Sequence, residues 1–280
     1  MTAAILLGPP IDAAMLHGAI AGQLEPVRLD RARDAALARS LFERVRRSAD
    51  AHRALLTVRR EDGDWASAAP GVAMRALRSD ARMRIELVRL DADAVARWRG
   101  DSLAQELFVL QGELALEGEG CAPALLPRHG HCVRAAGAPG RWRAVGAQAV
   151  VYVRHRLADL GALNAGEARW WAAAQAAPPR PGITPATTWW PIAEGVDVAM
   201  LFAKGAVVSM LVRVAPGAAI PGHAHALDED CLMLEGDLFL GDILVRTGDF
   251  QMAPAGVHHA GSVSDDGALF YVHGALPGPT

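Results

Sequence analysis

The stretch GAAIPGHAHALDEDCLMLEG (217–236), taken with GDFQMAPAGVHHAG (248–261), decides the fold. Side chains two apart on a strand point the same way, so alternation puts His223 and His225 on one face. Glu229 follows after a short polar step, and His259 ends a later apolar run beyond Pro254 and Gly256. Three imidazoles and a carboxylate suit a first-row divalent ion and leave one or two coordination positions open. Unrelated histidines on a solvent face are the plainer alternative. The spacing H-x-H-x3-E, followed by a Pro-Gly turn and a further His, weighs against it.

Working outward, the chain repeats itself. At an offset of 124 (189 − 65), WASAAPGV (65–72) lies on WWPIAEGV (189–196), and LVRL (87–90) on LVRV (211–214). FVLQGELAL (108–116) lies on LMLEGDLFL (232–240) in the same register. Beyond Leu116 the register slips by six, with Gly130 on Gly248, and VVYVRH (150–155) lies near LFYVHG (269–274). Short strands with Gly and Pro turns, present twice, predict two jelly-roll or barrel modules. In the first copy Arg99, Asp101, Gln105 and Arg141 stand where His223, His225, Glu229 and His259 stand in the second. A guanidinium cannot ligate a cation, so the first copy is expected to have lost its metal. Its two arginines could instead line an anion pocket. His129 and His131 flank the Gly130 turn and are not expected to restore the site.

The two opening stretches resemble the cupin motifs G-x5-H-x-H-x3-E-x6-G and G-x5-P-x-G-x2-H. Gly217, His223, His225, Glu229 and Gly236 fill the first; Gly248, Pro254, Gly256 and His259 fill the second. Val263 stands where the family often carries Asn. The acids around Glu229, then LMLEGDL and GDFQMAPAGVHH, are similar to the ChrR-like cupins of anti-sigma factors. The resemblance implies a mainly β chain of two cupin barrels, with short N-terminal helices and a helical linker. The boundaries it suggests are a helical head at 1–62, a first cupin without metal at 63–156, a linker at 157–182 and a metal-binding cupin at 183–276. One divalent ion per chain is expected on His223, His225, Glu229 and His259: zinc first, with manganese, iron or nickel as alternatives.

Around those ligands, Met210, Val212, Leu232, Leu234, Met252 and Phe270 are candidates for an apolar barrel wall. Alternation places Cys231 on the face of Glu229, which turns Leu232 and Leu234 away unless a bulge intervenes. Cys231 reads as packing, with a redox-responsive thiol as the alternative. His258, Asp228 and Asp230 are expected to point elsewhere, as surface or turn residues.

At 280 residues, with 51% hydrophobic and 21% charged residues, the chain suits a soluble protein with two cores. A net charge of −3 argues against nucleic acid as partner. Three cysteines without a C-x-x-C pair fit a reducing cytoplasm. No leader and no membrane-length apolar run is seen. Helices are expected over 12–24 and over 30–48, the latter with Leu37, Leu41, Phe42 and Val45 as its stripe. The arginine-bearing face opposite reads as a solvated face, with a docking surface for a partner or a second copy as the alternative. A third helix, EARWWAAAQAA, precedes the stiff PPRPG linker (178–182), with Trp170 and Trp171 packing on a barrel.

The resemblance implies a regulatory, sensory protein whose partners are a sigma factor or a small-molecule ligand, with a homodimer as a further expectation. Residues 1–62 nevertheless lack the His and C-x-x-C set of the family's zinc-binding head, having only His17 and His52. The alternative is a metal-dependent cupin dioxygenase or related enzyme on a small organic substrate. A metal-binding module without chemistry is the third.

Overall fold

The computed structural model describes residues 31–81, 83–97, 102–118, 121–135, 140–157, 188–204, 207–259 and 261–275. The helix expected over 12–24, the linker helix with its two tryptophans, Arg99 and Asp101 lie outside them. A helix runs Arg31–His52. Its Ala, Leu and Arg content favours that state, and Asp34 in the first turn complements the positive helix end. Leu37, Leu41, Phe42 and Val45 form the expected stripe, and all four are exposed.

The remainder is antiparallel β structure in two large sheets. The first orders its strands Ala66–Ala69, Val72–Ser79, Met83–Asp91, Gly140–Leu157, Ser102–Gly118, Cys121–Leu126. The second runs Leu56–Val58, Phe250–Ala253, Glu229–Leu240, Ala268–Ala275, Val207–Val214, Val196–Lys204, Trp190–Ala193. The sequence repeat is visible in the backbone. Bulges fall between Ser67 and Ala69 and between Pro191 and Ala193, then between Ala76 and Arg78 and between Met200 and Phe202. Both pairs keep the offset of 124.

After the hairpin the offset becomes 119 (273 − 154): Glu106 pairs with Arg154 as Asp230 pairs with His273. The slip is therefore five, and the sequence alignment of Gly130 on Gly248 is one residue out. Val109 N–H donates to Gly130 O where Met233 N–H donates to Asp249 O. His129 is thus the counterpart of Gly248, and both have a left-handed backbone, with φ of 65° and 91°.

Alternation along the strands divides the core three ways. Val88, Leu90, Leu107, Val109, Trp142 and Val153 fill the first barrel. Val198, Val208, Met210, Cys231, Met233 and Phe270 fill the second. Between the barrels lie Ile85, Leu87, Phe108, Tyr152, Leu232 and Tyr271. Each such burial contributes roughly 1.5–3 kcal/mol, so the layer between the barrels matches either interior in kind. Leu232, Leu234 and Met252 belong to that middle layer and not to the wall of the second barrel. Cys231, on Glu229's side, does face the interior, because the bulge comes only after Met233.

Gly236 of the first motif has φ of 73°, and a Cβ there would meet Gly267 O at 1.9 Å. Gly112 repeats this against Gln148 O at 2.1 Å. Only glycine permits that approach of backbone to backbone.

Strand Leu56–Val58 precedes the first barrel in sequence yet pairs with Phe250–Ala253 of the second. Asp249 fastens the junction, accepting hydrogen bonds from Arg59 Nη1 at 2.8 Å, Arg60 N at 2.8 Å and Arg246 N at 3.0 Å. Burial opposes its ionisation, but those donors hold its carboxyl below the ordinary value.

Candidate metal centre

His223 sits on a short strand, His223–Ala224, paired with His258–His259, and His225 follows directly after that strand's end. Backbone bonds sew the second motif to the first. Gly256 N–H donates to His225 O at 2.8 Å, His225 N–H to Val257 O at 3.2 Å, and Val257 N–H to Pro254 O at 3.1 Å. Asp228 adds its Oδ1 to Ala255 N–H at 3.0 Å. Gly256 makes this turn with φ of 84°. The P-x-G-x2-H spacing is therefore what carries the chain back across the strand that bears His223.

His223, His225 and Glu229 each offer a ligand atom, all within 4.8 Å of one another. His225 Nδ1 stands 3.3 Å from Glu229 Oε2. His223 Nδ1 lies 3.0 Å from Pro221 O, and a carbonyl can only accept. That bond fixes the hydrogen on Nδ1 and leaves Nε2 with its lone pair for a cation. His225 is buried, and His223 and Glu229 are half-buried, so the set opens at the rim of the barrel. The backbone register sets His259 directly opposite His223; its side chain lies outside the described residues. His258 is exposed. Among the described residues no other group of three or more His, Cys, Asp or Glu converges this way. The donor set fits a first-row divalent ion: metal–ligand distances near 2.1 Å need donor atoms about 3–4 Å apart, a small closure from what is seen.

Gly274 backs the carboxylate. A Cβ there would lie 3.1 Å from Glu229 Cγ and 3.3 Å from its Cβ. At the matching register of the first barrel stands His155, opposite Gln105, the counterpart of Glu229. His155 Nδ1 is 2.9 Å from Gln105 Nε2 and its Nε2 is 2.8 Å from Glu86 Oε1. A buried imidazole thus occupies the room that glycine leaves in the second barrel. Arg141 is exposed and paired with Glu117, while Arg99, its expected partner in an anion pocket, lies outside the described residues. At the strand that bears Arg141 the register offset is 120 (263 − 143), so the counterpart of His259 falls at position 139, outside the described residues.

The largest feature missed in sequence lies between the barrels. Glu106, fully buried, takes hydrogen bonds from His131 Nε2 at 2.7 Å, Tyr271 OH at 2.7 Å and Ser209 Oγ, with His273 Nδ1 at 3.3 Å. Burial disfavours its charge, yet His273 and His131 hold its carboxyl well below the ordinary value. Burial pushes the Tyr271 hydroxyl well up, so it stays a donor. Asp230, read from sequence as a surface acid, is 1% exposed and paired with Arg154 at 3.0 Å. The two pairs are related by the repeat: each barrel offers a carboxylate at one register and a basic side chain at the other. Asp228, likewise, pairs with Arg78 at 3.0 Å. Burial drives the Cys231 thiol strongly up, which keeps it protonated and inert as a nucleophile.

Residues 182–277 match the family model described as the ChrR cupin-like domain. A protein described as glyoxylate-induced from Pseudomonas aeruginosa has a similar structure, with a TM-score of 0.61 and 16% identity over 81% of this chain and 91% of that one. A variant of oxalate decarboxylase from Bacillus subtilis gives 0.60 and 14% over 80% and 78%. A protein named as a dioxygenase from Nostoc punctiforme gives 0.58 and 15% over 81% and 87%. At such identities the likeness shows the cupin fold alone. No curated protein matches in sequence. Among the described residues no helix is long and apolar enough to cross a membrane.

Proposed function

From residues 182–277 as a ChrR cupin-like domain, we propose that the chain is a single-metal bicupin with a sensory, regulatory role. One divalent ion, zinc first among the candidates, is held by His223, His225 and Glu229, with His259 across the strand pair as fourth ligand. The convergence of three donors in the second barrel, against the His155 plug in the first, carries this conclusion. A bound ion supplies a Lewis-acid position at the rim. The protein's own part is to hold His223 in one tautomer through Pro221 and to keep Glu229 upright against Gly274. Elemental analysis of the purified chain is expected to return one equivalent of a first-row metal. Two equivalents, or none after gentle isolation, would overturn the proposal.

The regulatory half of the proposal draws support from the helix Arg31–His52, whose apolar stripe stands in water, with Phe42 75% exposed. A contiguous exposed stripe of this kind marks an interaction surface. A sigma factor, by the family's implication, or a second copy of this chain would cover it. Phe42→Asp is expected to abolish that association in light-scattering and pull-down measurements, and unchanged association in both would remove the helix from the proposal.

A further inference from the structure

Away from the metal centre, a cavity of about 330 Å3 opens between the barrels, lined by Trp65, Arg75, Leu87, Leu110, His129 and Leu232, among others. Arg75 is only 5% exposed. Its Nη1 donates to the carbonyl oxygens of Arg60 and Asp62, while Nε has no acceptor. Among the described residues it makes no ion pair. Taking a guanidinium out of water is costly, and Asp62 and Glu61, acting on Arg75 through space without pairing with it, offset that burial only in part. The other cations at this cavity, Arg60 and Arg128, add positive potential, and among the described residues only Arg128 is answered by a carboxylate, Glu235 at 2.9 Å.

His129 has a second cost. It adopts the left-handed backbone that glycine adopts at the counterpart position, Gly248. Its Nε2 is buried with no hydrogen-bond partner, and its ring stacks on Phe108 with centroids 5.8 Å apart. Burial and Arg128 lower its pKa, so the neutral ring can offer a single N–H. The repeat sharpens the contrast. The counterpart of Arg75 is Ala199, a member of the apolar middle layer. One end of that layer is therefore apolar with a glycine turn, whereas the other carries a buried guanidinium and a strained imidazole at one cavity. Costs of this kind persist where a site needs them.

We propose that this cavity binds a small organic monocarboxylate, its charged end on Arg75 and His129 and its apolar body on Trp65 and the leucines. Guanidinium matches carboxylate as a planar, two-pronged donor. The Trp65 ring is itself held in place by Arg75 and Arg89, at 5.6 and 4.9 Å from its centroid. The volume suits a molecule of a dozen or so heavy atoms, roughly the lower end of small-molecule pockets.

Calorimetric titration of the full chain with phenylacetate, in EDTA so that the metal plays no part, tests the site. Saturable one-to-one binding is expected, with phenylacetamide and inorganic phosphate each at least roughly tenfold weaker, since one lacks the charge and the other the body. Arg75→Leu is expected to weaken phenylacetate by a similar factor. His129→Gly is expected to weaken it severalfold while holding or raising the melting temperature, because glycine suits that backbone. Absence of saturable binding, equal binding of the amide or of phosphate, or unchanged affinity in a folded His129→Gly protein would each overturn the proposal. A metal centre that failed its own assay would leave this result untouched.

Discussion

Replacing His223 or His225 with alanine is expected to cut bound metal to well below one per chain, and His129→Ala to leave it unchanged. Each of the first two variants removes one of three donors that lie within 4.8 Å of one another. A site left with two of those donors and His259 no longer offers the four-ligand set that holds a divalent ion against water. His129 belongs to a turn of the other repeat and lines a different cavity. The same loss should appear in stability. A ligand that binds only the folded state stabilises it by RT ln(1 + L/Kd), where L is the free ligand concentration, and so raises the melting temperature. Chelation should therefore lower the melting temperature of the parent protein and hardly move that of either histidine variant. Full metal content in both variants would exclude these residues as ligands.

Glu106→Ala is expected to destabilise the chain by roughly 3–5 kcal/mol, the usual effect of removing one member of a buried charged set. The substitution strands His131, His273, Tyr271 and Ser209 around an empty space between the barrels. Glu106→Gln keeps the shape and should cost less. It should also remove a pH dependence. The folded carboxyl has its pKa well below the ordinary 4.5. Its contribution is then fully present above the unfolded value and is lost as pH falls through the folded one. Denaturant titrations from neutral pH down to about pH 3 should show the gap between parent and Glu106→Gln narrowing with acid. A constant gap would mean that the charge of Glu106 contributes nothing.

The barrels and the convergence of His223, His225 and Glu229 were legible because their signals are local. His223, His225 and Glu229 lie within seven residues, and the repeat places Trp65 on Trp189 and Leu87 on Leu211 without a gap. What escaped was everything set by contacts across the repeats. Alternation predicts that Asp230 faces away from Glu229, and it does. It cannot say that the far side is a second hydrophobic layer in which Arg154 waits. Leu232 and Leu234 were misplaced for the same reason: a strand buried on both faces does not declare which face is the barrel. The register error at Gly130 arose from matching glycine to glycine. The backbone instead matches left-handed residues, and one of these is a histidine. The opposed pairs Glu106–Arg154 and Asp230–His273 stand in the alignment as an acid and a base at equivalent registers.

The crossing of Leu56–Val58 into the far sheet has a bearing on how the molecule could be dissected. A fragment beginning at residue 183 would leave the outer margin of Phe250–Ala253 bare, an invitation to sticky chain-to-chain pairing. A fragment ending before residue 182 would keep a lone ribbon with nothing to lie against. The two halves share a seam that neither can carry away, so a cut at the linker exposes a strand edge on one side and strips a strand of its partner on the other.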